Sequence, residues 1–411
     1  MDLNKKIDVL NEKVDVLIVG GGMISKEVIL PTIFQEQRYG RVGNVSISAL
    51  TGDIIRELQG MFPKFKGYPD PDIHGEKTPY PDMFKDAIRD LPENGIVIVA
   101  TPDHLHTPVI EAALEIGRHV IVEKPLCLKV DEAKDIIRKS EEKGIYVLTD
   151  YHKRHDRAVR AARYKYRKGE LGEMLHGHAW IEEPKYMALD VFKAWAEKSS
   201  SFEYIGVHYA DAYYFVTGLK PKRLVAFGQK KFLPSKGSNA YDANQVTIEW
   251  EDGSVFFIQT SWVNCEKNSA MTNQGMQLLG TLGECWADHK ARGIHFVTEE
   301  KGYEDFNPNF FKQYDSWDFP GEVDNVGYGY ESIVQGINDI KRISAATEGM
   351  DAGEALKVRQ SMIKEMEESR GLPRQALVGV AINNAMRMSV DAGARFVEFD
   401  DEMNLSWGGS F

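Results

Sequence analysis

Apolar runs alternate with helical stretches through the first 150 residues. Val14–Val19 reads as a buried strand, and residues 45–50, 96–100, 119–122 and 146–149 repeat the pattern. Between them, residues 24–34, 107–116 and 131–143 have helical character. Short, continuously apolar strands alternating with helices predict a parallel, doubly wound sheet. Beyond residue 150 the pattern changes. Residues 174–181, 223–228, 245–250, 255–260, 276–280, 284–287 and 294–298 read as strands. The Glu251-Asp252-Gly253-Ser254 turn is a hairpin signal. Residues 207–217 and 332–347 read as helices covering one face of this second sheet, the latter through the stripe Ile333, Ile337 and Ile340. Residues 350–373 read as a surface insertion. Residues 374–392 read as a last helix stopped by Gly393, and 395–399 as an edge strand. Two domains are expected, 1–150 and 151–411.

Composition narrows the class. A chain of 411 residues with 43% apolar side chains buries a sizeable core in each domain. Its net charge of −12 lacks the basic footprint of a nucleic-acid binder. No apolar run reaches the length of about 18 residues that a membrane helix needs. The start, Met1 to Lys13, is polar and carries no secretory h-region. Cys127, Cys265 and Cys285 are far apart, as expected of a reducing, cytoplasmic protein without a disulfide framework or zinc spacing.

The chemistry-bearing residues cluster at strand ends. The first strand runs into Gly20-Gly21-Gly22, followed by Met23 and Ile24 at the head of a helix. Strand, glycine turn and helix form the context of a dinucleotide-phosphate site, where helix N–H groups and the dipole meet the pyrophosphate. Ser25 stands where a third glycine is usual. The second strand ends Ala49-Leu50-Thr51-Gly52-Asp53, where an acidic residue would hold the ribose hydroxyls. Asp53 comes late for that task and Arg56 later still. NAD is favoured, with NADP left open, because no phosphate-binding cluster follows. Thr101, Pro102, Asp103 and His106 follow another strand and either touch cofactor or cap the next helix. Glu123-Lys124-Pro125 closes the strand after that. The carboxyl ends of parallel strands are where ligands sit in open α/β sheets, which directs Lys124 at a bound cofactor.

These residues resemble the Gfo/Idh/MocA oxidoreductases, the family of glucose-fructose oxidoreductase and inositol dehydrogenase. The resemblance is carried by Gly20-Gly21-Gly22, Thr101-Pro102-Asp103 with His106, Gly117, and Glu123-Lys124-Pro125. It continues through Gly169-Glu170-Leu171-Gly172, His208 with Asp211, and the terminal helix and strand. It spans nearly the whole chain. It implies an α/β architecture: an N-terminal Rossmann domain, then an α+β domain with a large, open-faced, mostly antiparallel sheet. It also implies homodimers or homotetramers formed through that sheet, and hydride exchange between nicotinamide and a sugar or cyclitol carbon. Lys124 would lie beside the reacting hydroxyl and assist proton removal, and Glu123 would orient the strand end or the cofactor. His208 would share the proton transfer. An aspartate is usual four residues earlier in the family; here the position is Tyr204, which brings no negative charge at neutral pH. Asp211 reads as structural.

Tyr151, Lys153, Arg154 and His155 follow the last Rossmann strand, in a region where the family contacts substrate. They either hold an anionic substrate group or form a solvated helix start. The aromatic-rich stretch 303–319 either stacks on sugar rings or makes an oligomer contact. His176 and His178 have no carboxylate partner at metal-ligand spacing, so no metal is expected. Three functions remain open. The first is an NAD(P)-dependent dehydrogenase of a sugar, glycoside or cyclitol. The second is a glycoside hydrolase that oxidises a ring hydroxyl transiently, eliminates the aglycone and returns the hydride. The third is a non-catalytic dinucleotide-binding protein.

Overall fold

The computed structural model describes residues 9–10 and 12–409. Most of the polar start read from Met1 to Lys13 lies outside them. The chain divides into two compact units. One runs to His152 and takes in Phe310–Leu377; the other joins Lys153–Asn309 to the stretch from Val378 onwards. Where 1–150 and 151–411 were expected as two continuous stretches, the compact units are each discontinuous in sequence, because 310–377 belongs with the first.

The first unit is built on a six-stranded parallel sheet: β1 (Val14–Val19), β2 (Val42–Ser48), β3 (Lys66–Tyr68), β4 (Ile96–Val99), β5 (His119–Glu123) and β6 (Val147–Asp150). Their order is β3-β2-β1-β4-β5-β6. The order reverses between β1 and β4, so a ligand crevice is expected there, at the carboxyl ends of these strands. Val16, Ile18, Ile47, Ile96, Ile98 and Ile121 are essentially inaccessible, as strands covered on both faces require.

The isoleucine stripe predicted at 333–340 exists, but its partner differs from expectation. Helix Tyr328–Thr347 buries Ile333, Ile337, Ile340 and Ile343 in the core cluster of the parallel sheet, with Ile121 and Leu148. Gly336 permits the approach: a Cβ there would lie 2.8 Å from side-chain carbons of both Ile121 and Leu148. A stripe announces that a face is buried without naming the sheet that buries it. The predicted insertion at 350–373 is largely the helix Ala352–Met366, in which only Ala355 is fully buried, with Met362, Ile363 and Met366 half-buried against the same core.

The second unit carries an eight-stranded sheet. Its first strands are β7 (Met174–Pro184), β8 (Pro221–Gln229), β9 (Ala243–Trp250), β10 (Val255–Asn264), β11 (Asn273–Gly280) and β12 (Glu284–Asp288). The order is β12-β11-β7-β10-β9-β8, then Val397–Phe399 and Leu405–Trp407. Only the β7–β10 pair is parallel. The β9–β10 hairpin turns where predicted, with Gly253 at φ +85°. Val397–Phe399 is not an edge: Leu405–Trp407, too short to register as an apolar run, pairs outside it. Helix Val207–Thr217 is buried on almost every side. The stretch 303–319 is not structureless, since two small hairpins, His295–Thr298 with Gly302–Asp305 and Lys312–Asp315 with Val323–Val326, cross it. Among the described residues, no helix is long and apolar enough to cross a membrane.

A buried histidine makes the first unit acid-sensitive. His119 Nδ1 accepts the Tyr146 backbone N–H at 2.9 Å, which demands a neutral ring. Burial, aided by the Arg359 charge, lowers its pKa to about 4. The unfolded chain therefore takes up this proton first, below about pH 6.5, and stability is lost as pH falls from there towards 4. The loss is expected to reach about 3 kcal/mol. Urea unfolding at neutral pH and near pH 4.5 checks it: His119→Asn, whose amide oxygen accepts the same bond, should flatten the difference attributable to this site.

Candidate active site

The glycine turn follows from sterics. Gly20 has φ +120°, and a Cβ there would stand 2.2 Å from the Ala100 carbonyl oxygen. Its N–H donates to Ser48 O at 2.8 Å, and Ser25 Oγ donates to Gly20 O at 2.8 Å. Ser25, fully buried, thus ties the turn where the usual pattern has glycine. The helix that follows opens with Met23 and Ile24 and passes through a π-helical turn, Ser25–Ile29, of the kind that gathers at functional sites. At Gly22 a Cβ would meet nothing within 4 Å, so the turn is open above.

Thr51 Oγ1 hydrogen-bonds Asp53, which is why the Asp53 carboxyl sits below its ordinary pKa. Arg56 is engaged by Asp72 at 2.5 Å and by Glu76 at 3.4 Å. That leaves the second strand end with an acidic rather than a phosphate-binding character. After β4, the Thr101 hydroxyl oxygen is buried without a hydrogen-bond partner among the described residues. Pro102 and Asp103 lead into the next helix. His106 is wholly buried, with Nδ1 at 2.7 Å from Pro125 O and Nε2 at 3.0 Å from Thr101 O. It braces the loops after β4 and β5, and burial lowers its pKa. A glycine turn with no room for a side chain, the open space at Gly22 and the orphan Thr101 hydroxyl together fit a dinucleotide.

Glu123 ends β5 and Lys124 follows it, only 8% exposed. Burial raises the Glu123 pKa, as does the charge of Asp150, its Cα partner at the end of β6. Asp150, the last residue of β6, is a site residue that the sequence pattern does not single out. Its one signal is that Glu123 and Asp150 each close an apolar run of adjacent parallel strands. Tyr151 is buried just beyond.

The remaining candidates lie in the second unit. Arg154 donates from Nε and Nη2 to the Asp211 carboxylate at 2.8 and 2.6 Å, both residues buried. Its guanidinium is thereby held in a buried ion pair. Lys153 is 2% exposed and donates to Gln274 Oε1 at 2.6 Å, with Nζ 4.9 Å from the Tyr209 ring centre. Burial lowers its pKa to about 8. Tyr209 contacts His289 Nδ1 at 2.8 Å and stacks on that ring. Asp156 pairs with Arg292 beside them. This buried polar cluster, apart from Lys153, carried no spacing signal. His155 is partly exposed.

His208 is 4% exposed, at the start of helix Val207–Thr217. Tyr204 lies in the π-helical turn Phe202–Gly206 that leads into it, packed among Phe192, Trp195 and Trp262 at ring distances of 4.7 to 6.4 Å. The residue replacing the expected aspartate thus belongs to an aromatic cluster. Glu203 pairs with Arg387. Among the described residues, no group of three or more His, Cys, Asp or Glu is placed to hold a metal ion.

Replacing Gly20 with alanine tests the turn. The added methyl meets the Ala100 carbonyl, so NADH affinity is expected to fall on the order of 10- to 100-fold, the equivalent of about 1–3 kcal/mol of backbone strain. Fluorescence titration reads the affinity, and far-UV circular dichroism checks that the sheet survives. Unchanged affinity would remove the turn from the cofactor site.

Known proteins support the same assignment. The profile of an oxidoreductase family with an NAD-binding Rossmann fold matches residues 14–151, and that of the GFO/IDH/MocA C-terminal domain matches residues 159–285. The 2,7-anhydro-N-acetylneuraminate hydratase of Mediterraneibacter gnavus is 29% identical over 39% of this chain, and the match spans only 46% of that protein. The myo-inositol 2-dehydrogenase of Thermotoga maritima is 20% identical over 81% of this chain and 92% of its own. An inositol dehydrogenase homologue from Azotobacter vinelandii, solved with NADH and myo-inositol, shares the fold at TM-score 0.68 and 20% identity, covering 95% of this chain and 99% of that one. Matched in both its Rossmann and its C-terminal regions, the chain belongs to the GFO/IDH/MocA oxidoreductase family, and its first unit is an NAD-binding Rossmann domain.

Proposed function

We propose that the protein is an NAD-dependent dehydrogenase acting on a ring carbon of a sugar, glycoside or cyclitol, with Lys124 and His208 in proton transfer. One observation carries this reading: a buried lysine immediately after β5, at the carboxyl end of a parallel sheet that also bears the glycine turn. Bound NAD supplies the hydride acceptor. The chain's own part is to hold the cofactor at Gly20–Gly22, Met23, Ile24, Thr51 and Thr101–Asp103, and to take the hydroxyl proton at Lys124 Nζ. His208, buried at a helix start, is the second proton-transfer group. Tyr204 and Lys153 are the proposed substrate contacts. Arg154 is left out of that set, since Asp211 occupies it. The protein acts as a homo-oligomer through the open sheet face, where Phe227 and Trp286 are exposed.

A second reading has its own support. A relative named as an anhydro-sugar hydratase performs, by that name, addition of water rather than net oxidation. A redox-neutral glycoside hydrolase would use the same NAD site and return the hydride after elimination. A panel of glycosides, free sugars and cyclitols with added NAD separates the two. Net NADH in proportion to substrate consumed supports the dehydrogenase. NAD-dependent aglycone release without net NADH supports the hydrolase. Stoichiometric NADH binding with neither product would overturn both.

A further inference from the structure

Glu123 and Asp150 end neighbouring parallel strands as register partners. Adjacent strands lie about 4.8 Å apart, and register partners project to the same side of a sheet. Asp150 is 4% exposed, Glu123 partly buried, and Lys124 8% exposed. The groups facing the pair come from every neighbouring element. Lys124 faces Glu123 from the loop after β5, and Asp103 does so from the turn after β4. The Ser332 hydroxyl faces Asp150 from helix Tyr328–Thr347. His106, buried between the Thr101 and Pro125 carbonyls, faces Asp103 and Lys124. The charges of Asp150, Asp103 and Lys124 thus all bear on the Glu123 carboxyl.

Two carboxyl groups side by side, one buried and one partly buried, are not both ionised at neutral pH, because desolvation and mutual repulsion disfavour the second charge. Burial pushes both groups above the ordinary carboxylate range. We propose that Glu123 and Asp150 hold one proton between them and act as the acceptor to which Lys124 passes the proton of the substrate hydroxyl. This rests on the dehydrogenase reading and on Lys124 as its proton-transfer group.

The step balances. Before it, the pair carries one negative charge and Lys124 is an ammonium. An N–H bond of Lys124 breaks and an O–H bond forms on the ionised member of the pair. The amine left behind takes the hydroxyl proton as the adjacent carbon gives its hydride to NAD. The substrate loses one proton and one hydride. The pair ends with both carboxyls protonated, Lys124 is again an ammonium, and the pair then sheds a proton to solvent. Glu123 and Asp150 act through Lys124 and are positioning residues.

The test needs a readout independent of turnover. Infrared difference spectra of the full-length protein, wild type minus Asp150→Asn, are recorded in the protonated-carboxyl region from about pH 5 to about pH 9. A carboxylic-acid band is expected in wild type at neutral pH, fading towards alkaline pH. It should weaken and fade at lower pH in Asp150→Asn, where burial still raises Glu123 but its repelling partner is gone. NADH fluorescence titration confirms that the near-isosteric variant is folded. The acid limb of the kcat/KM profile is expected to move down by about one pH unit or more in Asp150→Asn, as a lone carboxylate beside an ammonium titrates lower. No band in wild type at neutral pH overturns the shared proton, and an acid limb that stays in place overturns the acceptor role. The band does not depend on turnover. Wild-type rates in Lys124→Ala would therefore strike the route through Lys124 and the dehydrogenase assignment of that residue, a failure distinguishable from loss of the band.

Discussion

Lys124→Ala is expected to lower kcat on the order of 10²- to 10⁴-fold while leaving NADH binding within a few-fold of wild type. The size is what a positioned proton-transfer group contributes. The separation of rate from binding follows from the lysine's place. It follows the last residue of β5, whereas the glycine turn follows β1. Lys124→Arg sharpens the test, because it keeps a positive charge but has no accessible neutral form. If the lysine serves only as a fixed charge, Arg restores turnover; if it moves a proton, Arg is nearly as slow as Ala. Single-turnover NADH absorbance measures the rate, and fluorescence titration measures the binding. Wild-type turnover in Lys124→Ala would remove this residue from the chemistry.

Asp211→Ala is expected to destabilise the second unit by about 3–5 kcal/mol, through an entirely different cause. The Arg154–Asp211 pair is 3% and 2% exposed, and the alanine leaves a guanidinium buried without its carboxylate. A loss of this size is a large share of the margin of about 5–15 kcal/mol that holds a typical domain folded. The double variant Arg154→Met with Asp211→Leu removes both charges at similar volume and should recover most of the loss. Urea unfolding followed by tryptophan fluorescence reads both. If the double variant is no better than the single, the cost lies in packing rather than in the stranded charge. The same experiment decides what Arg154 is for: if it binds an anionic substrate group, the double variant loses KM as well as stability.

Much of this was legible in the chain because the physics was local. A strand buried on both faces needs a continuous apolar run, and β1, β4 and β5 are bounded almost as read. The hairpin at Gly253 and the helix Val207–Thr217 depend on neighbours in sequence and were equally plain. The failures are of pairing at a distance. Nothing in Ile333, Ile337 and Ile340 says which sheet they will cover. Nothing near Arg154 says that its partner lies on a helix more than fifty residues away. Asp150 became visible as a partner of Glu123 only once the register of β5 and β6 was known.

The isoleucine helix has a consequence for how the chain is made. Synthesis proceeds from the N-terminus, and a domain of contiguous sequence can fold as it emerges. Here the parallel sheet is complete at Asp150, yet a covering layer over Ile121 and Leu148 comes from Tyr328–Thr347. Until the ribosome has passed Thr347, those side chains have no native partner, and the whole of the second unit's first segment is made in the interval. A fragment ending at residue 150 is therefore expected to aggregate rather than serve as a portable cofactor module. During biosynthesis the nascent chain presents a long-lived apolar surface of the kind that holdase chaperones recognise.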